Sequence, residues 1–158
     1  LVIKKKYLDS AAHLLNVVPK TCHKIFIHIR RGDYKDYKVY GKGTLLPVSY
    51  YKEQIEWFIC NKENPFFIFL SDDADFIENE FNYIESKIVS TNNHFGTDFA
   101  LMTLCKSAIL SPSSFGWWGS YFMKEKDVIF APKYWLGFNS KKEYQSKGTP
   151  SFVQEVNI

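Results

Sequence analysis

Apolar residues along this chain fall into two alternating patterns, a helical spacing of three or four and short unbroken runs. Tyr7, Ala11, Leu14, Leu15 and Val18 recur at helical spacing and stop at Pro19, which predicts a helix leading to a first strand at Lys24 to Ile29. Pro47-Val48-Ser49 starts a second helix whose apolar positions Tyr50, Ile55, Trp57, Phe58 and Ile59 continue until Asn61 to Pro65 end it. A strand follows at Phe66 to Leu70, Ser71-Asp72-Asp73 caps a helix over Ala74 to Phe81, and a short strand is expected near Ile88-Val89. After a polar turn from Ser90 to Gly96, Asp98 opens a helix carrying Phe99, Leu101, Met102, Leu104 and Cys105. Strand Ala108 to Leu110, the loop Ser111 to Ser114, a helix from Phe115 to Met123 and strand Val128 to Phe130 close the pattern at Ala131-Pro132.

Strands alternating with helices of about 8 to 14 residues imply an α/β domain, a parallel sheet covered by helices on both faces. The expected organisation is a helical lead-in over 1–23, the α/β domain over 24–135, and a C-terminal tail over 136–158 packed on it, polar from Asn139 to Pro150. Between Lys35 and Leu46 lies a Tyr- and Lys-rich loop with Gly41 and Gly43 as its flexible points. No internal repeat or low-complexity segment interrupts the chain.

Composition narrows the partners. With 158 residues, 46% hydrophobic and 23% charged, the chain suits one folded domain and excludes disorder. The formal charge is +3, and the lysines are spread among acids except at Lys4-Lys5-Lys6 and Lys141-Lys142, so no basic stripe of nucleic-acid type is present. A small anionic ligand fits better. Cys22, Cys60 and Cys105 are odd in number and lack metal-ligand spacing, which points to reduced thiols in a cytoplasmic setting. No run approaches the roughly 18 to 20 apolar residues of a spanning helix, and the first residues lack a signal-peptide layout. The chain enters at Leu1 directly on a helical pattern and is expected to be a piece of a longer protein.

The chemistry-bearing residues sit where such sheets bind ligands. Strand C-termini share one edge, so His28-Ile29-Arg30-Arg31, Ser71-Asp72-Asp73 and Ser111-Pro112-Ser113-Ser114 should converge there. Arg30 and Arg31 suit phosphate, whose oxygens match a guanidinium fork, although for an isolated pair solvated surface charges are the simpler reading. Ser113 and Ser114 precede a helix, where free amides and hydroxyls favour an anion; a plain cap is the simpler reading of the same residues. Asp72 and Asp73 offer carboxylates to a metal, but capping explains them more economically, and no metal site is expected. His28 is either a core residue holding its neighbours or a phosphate-side group.

Three segments together resemble a known family. His28-Ile-Arg30-Arg31-Gly-Asp33-Tyr34, Phe69-Leu-Ser71-Asp72-Asp73, and Asp98 through Lys106 with Ile109-Leu-Ser-Pro-Ser113-Ser114-Phe115-Gly-Trp117-Trp118-Gly119 are similar, in order and spacing, to the motifs of the bacterial-type α-1,2-fucosyltransferases. The resemblance covers about Lys24 to Pro132. It implies a GDP-β-L-fucose-dependent, inverting, metal-independent transferase of two Rossmann-like lobes (GT-B), of which this chain is the C-terminal, donor-binding lobe. It also implies a glycan acceptor held by an N-terminal lobe, here reduced to the 27 residues before His28, and a place in the cytoplasm or at the inner face of a bacterial membrane. No cofactor is expected besides the donor substrate.

Carried over position by position, the resemblance has Arg30 pairing with the β-phosphate, with His28 and Arg31 shaping the same pocket. Asp98 would accept hydrogen bonds from the guanine edge, Ser113 and Ser114 would hold phosphate oxygens beside Phe115, and Trp117 and Trp118 would pack the serine loop. Because charge builds on the leaving GDP, Arg30 is expected to supply the largest single stabilisation. An inverting transfer also needs a base, for which Asp33 is the first choice and Asp36 the second; Asp33 alternatively locks the Arg pair. Two other readings stay open: a transferase for another GDP-sugar, and a non-catalytic nucleotide-binding module.

Overall fold

The computed structural model describes residues 2–144 and 149–158. Helix α1 (Lys5–Leu14) and a 3-10 turn (Leu15–Val17) lead to strand β1 (His23–Ile29). A second 3-10 turn (Asp33–Lys35) precedes a two-strand hairpin, β2 (Lys38–Val39) and β3 (Lys42–Gly43). The main pattern then resumes with α2 (Val48–Asn61), β4 (Pro65–Ser71), α3 (Ala74–Glu80), β5 (Lys87–Ser90), α4 (Phe95–Thr103) and β6 (Ser107–Leu110). It ends with α5 (Ser114–Tyr121), β7 (Ile129–Pro132), a 3-10 segment (Trp135–Ser140) and β8 (Gln154–Val156).

The main sheet is entirely parallel, in the order β5-β4-β1-β6-β7-β8. The chain builds outward from β1 through β4 to β5, then crosses back to lay β6 on the other side of β1. Strand order therefore reverses between β1 and β6, the position where open α/β sheets leave a crevice at their C-terminal ends.

Side-chain alternation along β1 divides the core into two layers. Ile25, Ile27 and Ile29 pack with Tyr50, Tyr51, Ile55 and Phe58 of α2 and with Ile77 of α3. Phe26 packs on the opposite face with Ala11 of α1 and Ala100, Leu101 and Met102 of α4. Both β1 and β4 are buried on both faces, which is why they read as continuous apolar runs in the sequence.

Four local features depart from the sequence expectation. The tail supplies a sixth strand, β8, which pairs with β7 and is too short for an apolar pattern: Gln154 and Glu155 are exposed, and Val156 packs partly against the core. The loop after Lys35 contains a hairpin turned by Tyr40 (φ 52°) and Gly41 (φ 73°). Helix α4 begins at Phe95, three residues before Asp98, because the His94 ring accepts the Gly96 amide and serves as the cap. Of the Ser-Asp-Asp triplet only Asp73 caps α3, through the Phe76 amide at 3.1 Å; Asp72 does other work. The polar stretch expected from Asn139 to Pro150 includes residues 145–148, which lie outside the described residues. Among the described residues no helix is long and apolar enough to cross a membrane.

Candidate functional site

Strand alternation decides where each arginine goes. His28 and Arg30 point to the α4–α5 side of the sheet, while Ile29 and Arg31 point to the α2–α3 side. The paired register Ile29 with Ser71 continues past the strand ends as two ion pairs, one on each side. On the first side, Arg30 Nη1 lies 3.1 Å from Asp72 Oδ2. On the second, Arg31 Nε donates to Asp73 Oδ2 at 3.0 Å and its guanidinium lies 3.6 Å from the centre of the Phe76 ring. The Arg31 bond holds the Asp73 carboxyl below its ordinary range. Arg31 thus locks β1 to the start of α3 and does not line the cleft.

Asp72 fixes the turn itself. Its two carboxylate oxygens accept the backbone amides of Arg31 at 2.9 Å and Gly32 at 3.0 Å. A Cβ on residue 32 would stand 2.7 Å from Asp72 Oδ2, so a side chain there would press the carboxylate away from the turn. Arg30 is bracketed by carboxylates: Nε donates to Asp33 Oδ1 at 2.8 Å and Nη1 faces Asp72. Two of its five N–H groups are so engaged, leaving the outer fork for a ligand.

A cleft of about 270 Å³ opens where these strand ends meet α4 and α5. His28, Arg30, Asp98, Ser113 and Phe115, all anticipated from the sequence, line it together with Asp72 and Phe95. Ser114 occupies the exposed first position of α5, beside the cleft but outside its lining, and Asp33 reaches it only through Arg30. Asp36 sits exposed at the end of the turn that Asp33 begins.

Ser111, buried at the end of β6, ties the floor together. Its oxygen accepts the Arg30 amide at 3.2 Å and lies 2.8 Å from His28 Nδ1. Burial drives the His28 imidazolium down to about 4, so the ring is neutral at physiological pH. Which of Ser111 and His28 Nδ1 donates follows the tautomer of the neutral ring, and either way the bond fixes the ring at the cleft floor. At α5 the Ser113 side chain makes no capping bond, so its hydroxyl and the first helical amides are left for an anion. Across the cleft, the Asn93 amide donates to Ser90, whose hydroxyl donates to Asp98 Oδ1. Burial raises the Asp98 carboxyl above its ordinary value, and the Ser90 bond works in the opposite direction.

The site therefore has an electropositive end, built from Arg30 and the start of α5, and an acceptor end at Asp98. Phe95 is the aromatic lining residue that sequence reasoning missed, and Asp72, expected at this edge as a cap, instead accepts the amides of the Arg31–Gly32 turn. Asp72 was visible as half of an acidic pair, and Phe95 could have been noticed only as an aromatic residue three positions before Asp98. A second groove of about 560 Å³ lies at the opposite strand ends, but its lining cation Lys62 is already paired with Asp127 at 2.6 Å. Among the described residues no group of three His, Cys, Asp or Glu side chains is placed to hold a metal ion.

Comparison with known proteins agrees with the motif spacing. The sequence model described as Glycosyl transferase family 11 matches residues 10–155. The O-antigen biosynthesis glycosyltransferase WbnK of Escherichia coli is 29% identical over 132 residues, 80% of this chain and 44% of that protein. Galactoside 2-alpha-L-fucosyltransferase SEC1 of Bos taurus is 29% identical over 66% of this chain and 30% of its own length. Galactoside alpha-(1,2)-fucosyltransferase 2 of Pongo pygmaeus is 28% identical over 70% of this chain and 33% of its own length. The chain thus spans less than half the length of these relatives. No solved structure gives a significant match.

Proposed function

Since the chain belongs to glycosyl transferase family 11, we propose that it is the donor-binding lobe of a two-lobed, GT-B fucosyltransferase using GDP-β-L-fucose. The observation that carries this is the joining of Arg30, the uncapped start of α5 and Asp98 around one cleft. Spaced in that order, they match a molecule with a diphosphate at one end and a base bearing N–H donors at the other. The names of the cattle and orangutan relatives support a galactoside hydroxyl as acceptor. The share of the relatives that the chain spans supports an acceptor site built mainly from elements outside these residues. Acceptor positioning is a large part of such catalysis, so the lobe alone should bind donor and transfer slowly.

In this reading the acceptor oxygen attacks fucose C1 from the face opposite GDP, and the C1–oxygen bond breaks with its electron pair going to GDP. Inversion follows from that geometry. Negative charge develops on the β-phosphate, where Arg30, the Ser113 hydroxyl and the first amides of α5 would receive it, beside the neutral His28 ring. These fixed donors do the work a metal ion does elsewhere, so the proposal includes metal-independent transfer. The acceptor's proton passes to a carboxylate at the mouth of the site. Asp33 suits this: it uses Oδ1 for Arg30, and its side chain is 64% exposed. Arg31 acts indirectly, by anchoring the turn that presents Arg30.

Competition for the site by GDP-fucose and GDP-mannose tests the sugar. Tighter binding of GDP-fucose supports the fucosyltransferase reading, whereas a preference for GDP-mannose would replace it with another GDP-sugar transferase.

A further inference from the structure

Phe95 is 69% exposed at the mouth of the cleft, a large apolar ring in the first turn of α4. Its position is held from behind by a stack of rings. The His94 and Phe95 ring centres are 4.2 Å apart, and His94 stacks in turn on Tyr7 of α1 at 4.6 Å with 20° between the planes. His94 cannot swing away easily, because its Nδ1 accepts the Gly96 amide at 2.9 Å and its Nε2 lies 3.3 Å from the Tyr7 hydroxyl. Gly96 lets Tyr7 approach: a Cβ there would fall 2.7 Å from the Tyr7 ring. Three rings from two helices thus end in one uncovered aromatic surface beside the cleft.

Asp98 follows Phe95 by three residues and so shares its side of α4. An ionised carboxylate only accepts hydrogen bonds, and the Asn93–Ser90 relay fixes which way it points. A planar ligand reaching Asp98 with two adjacent N–H donors on one edge would pass along the Phe95 ring. Guanine has such an edge, N1–H beside the N2 amino group; adenine presents an acceptor at N1 instead.

We propose that Phe95 is the stacking platform for the purine ring of the donor nucleotide, forming with Asp98 a two-sided clamp that reads guanine by its face and its edge. The inference rests on the donor reading above and adds to it a residue that binds the base while leaving the phosphates to Arg30.

The test is calorimetric titration of GDP and of inorganic pyrophosphate into the native chain, Phe95→Ala and Phe95→Tyr, with folding of each checked by circular dichroism. Loss of a base–aromatic stack should weaken GDP binding by about 5- to 150-fold in Phe95→Ala. Pyrophosphate binding should not change, and Phe95→Tyr should retain GDP. Native GDP affinity in Phe95→Ala, or an equal loss for GDP and pyrophosphate, would overturn the clamp while leaving the donor reading in place. A native chain that binds neither ligand would overturn the donor reading and the clamp with it.

Discussion

Asp72→Asn is the substitution that most sharply tests how the Arg30 turn is held. In the native chain both carboxylate oxygens accept backbone amides, from Arg31 at 2.9 Å and Gly32 at 3.0 Å, while Oδ2 also faces Arg30 Nη1 at 3.1 Å. Asparagine keeps one acceptor and places an NH2 against the second amide, so one bond is lost and two donors are opposed. A hydrogen bond to a charged group contributes about 1.5–3 kcal/mol, and the Asp72 side chain is 26% exposed, so a total loss of about 2–3 kcal/mol is expected. For a domain of this size that lowers the melting temperature by roughly 4–12 °C. Differential scanning calorimetry measures it directly. GDP affinity should fall as well, because Arg30 would keep only Asp33 as its partner. A variant that melts and binds like the native chain would refute the reasoning, since the carboxylate would then not be what shapes the turn.

Two further outcomes follow from the floor of the cleft. A Cβ at position 116 would stand 3.0–3.2 Å from three atoms of His28, so Gly116→Ala should push the ring off Ser111, cost about 1–3 kcal/mol and weaken nucleotide binding; native melting and affinity would contradict this. His28 is held neutral, with its folded value near 4 against 6.5 unfolded, so only the unfolded chain takes up its proton between those limits. The contribution is intact above about pH 6.5, declines as pH falls, and reaches a loss of order 3 kcal/mol near pH 4. Urea unfolding across this range should show that slope in the native chain and a shallower one in His28→Gln; identical slopes would place the titration elsewhere.

The sequence made the layered α/β sheet readable because β1 and β4 are buried on both faces and α2 carries a clear apolar stripe. It left β8 unreadable, because a three-residue strand with Gln154 and Glu155 exposed and only Val156 touching the core is too short to show a side-chain pattern. The start of α4 was misplaced for a related reason: Asp98 is a common cap, whereas His94 caps through a ring nitrogen that only the fold brings to the Gly96 amide. Among site residues, those at strand ends were found by topology alone. The division of labour between Arg30 and Arg31 was not, although the alternation of β1, continued past Ile29, points these neighbouring side chains to opposite sides of the sheet. Phe95 and the turn-holding role of Asp72 escaped because they depend on partners 40 and more residues away, the Arg31–Gly32 turn for Asp72 and, through His94, Tyr7 for Phe95.

The central claim is that this cleft holds a guanosine diphosphate through Arg30. Isothermal titration of GDP into the native chain and into Arg30→Ala, at matched salt, tests it most directly. The account predicts saturable binding by the native chain and at least about tenfold weaker binding by the variant, the loss of a charge-assisted contact of 1.4 kcal/mol or more. A native chain that takes up no GDP, or a variant that binds it equally well, would contradict the account.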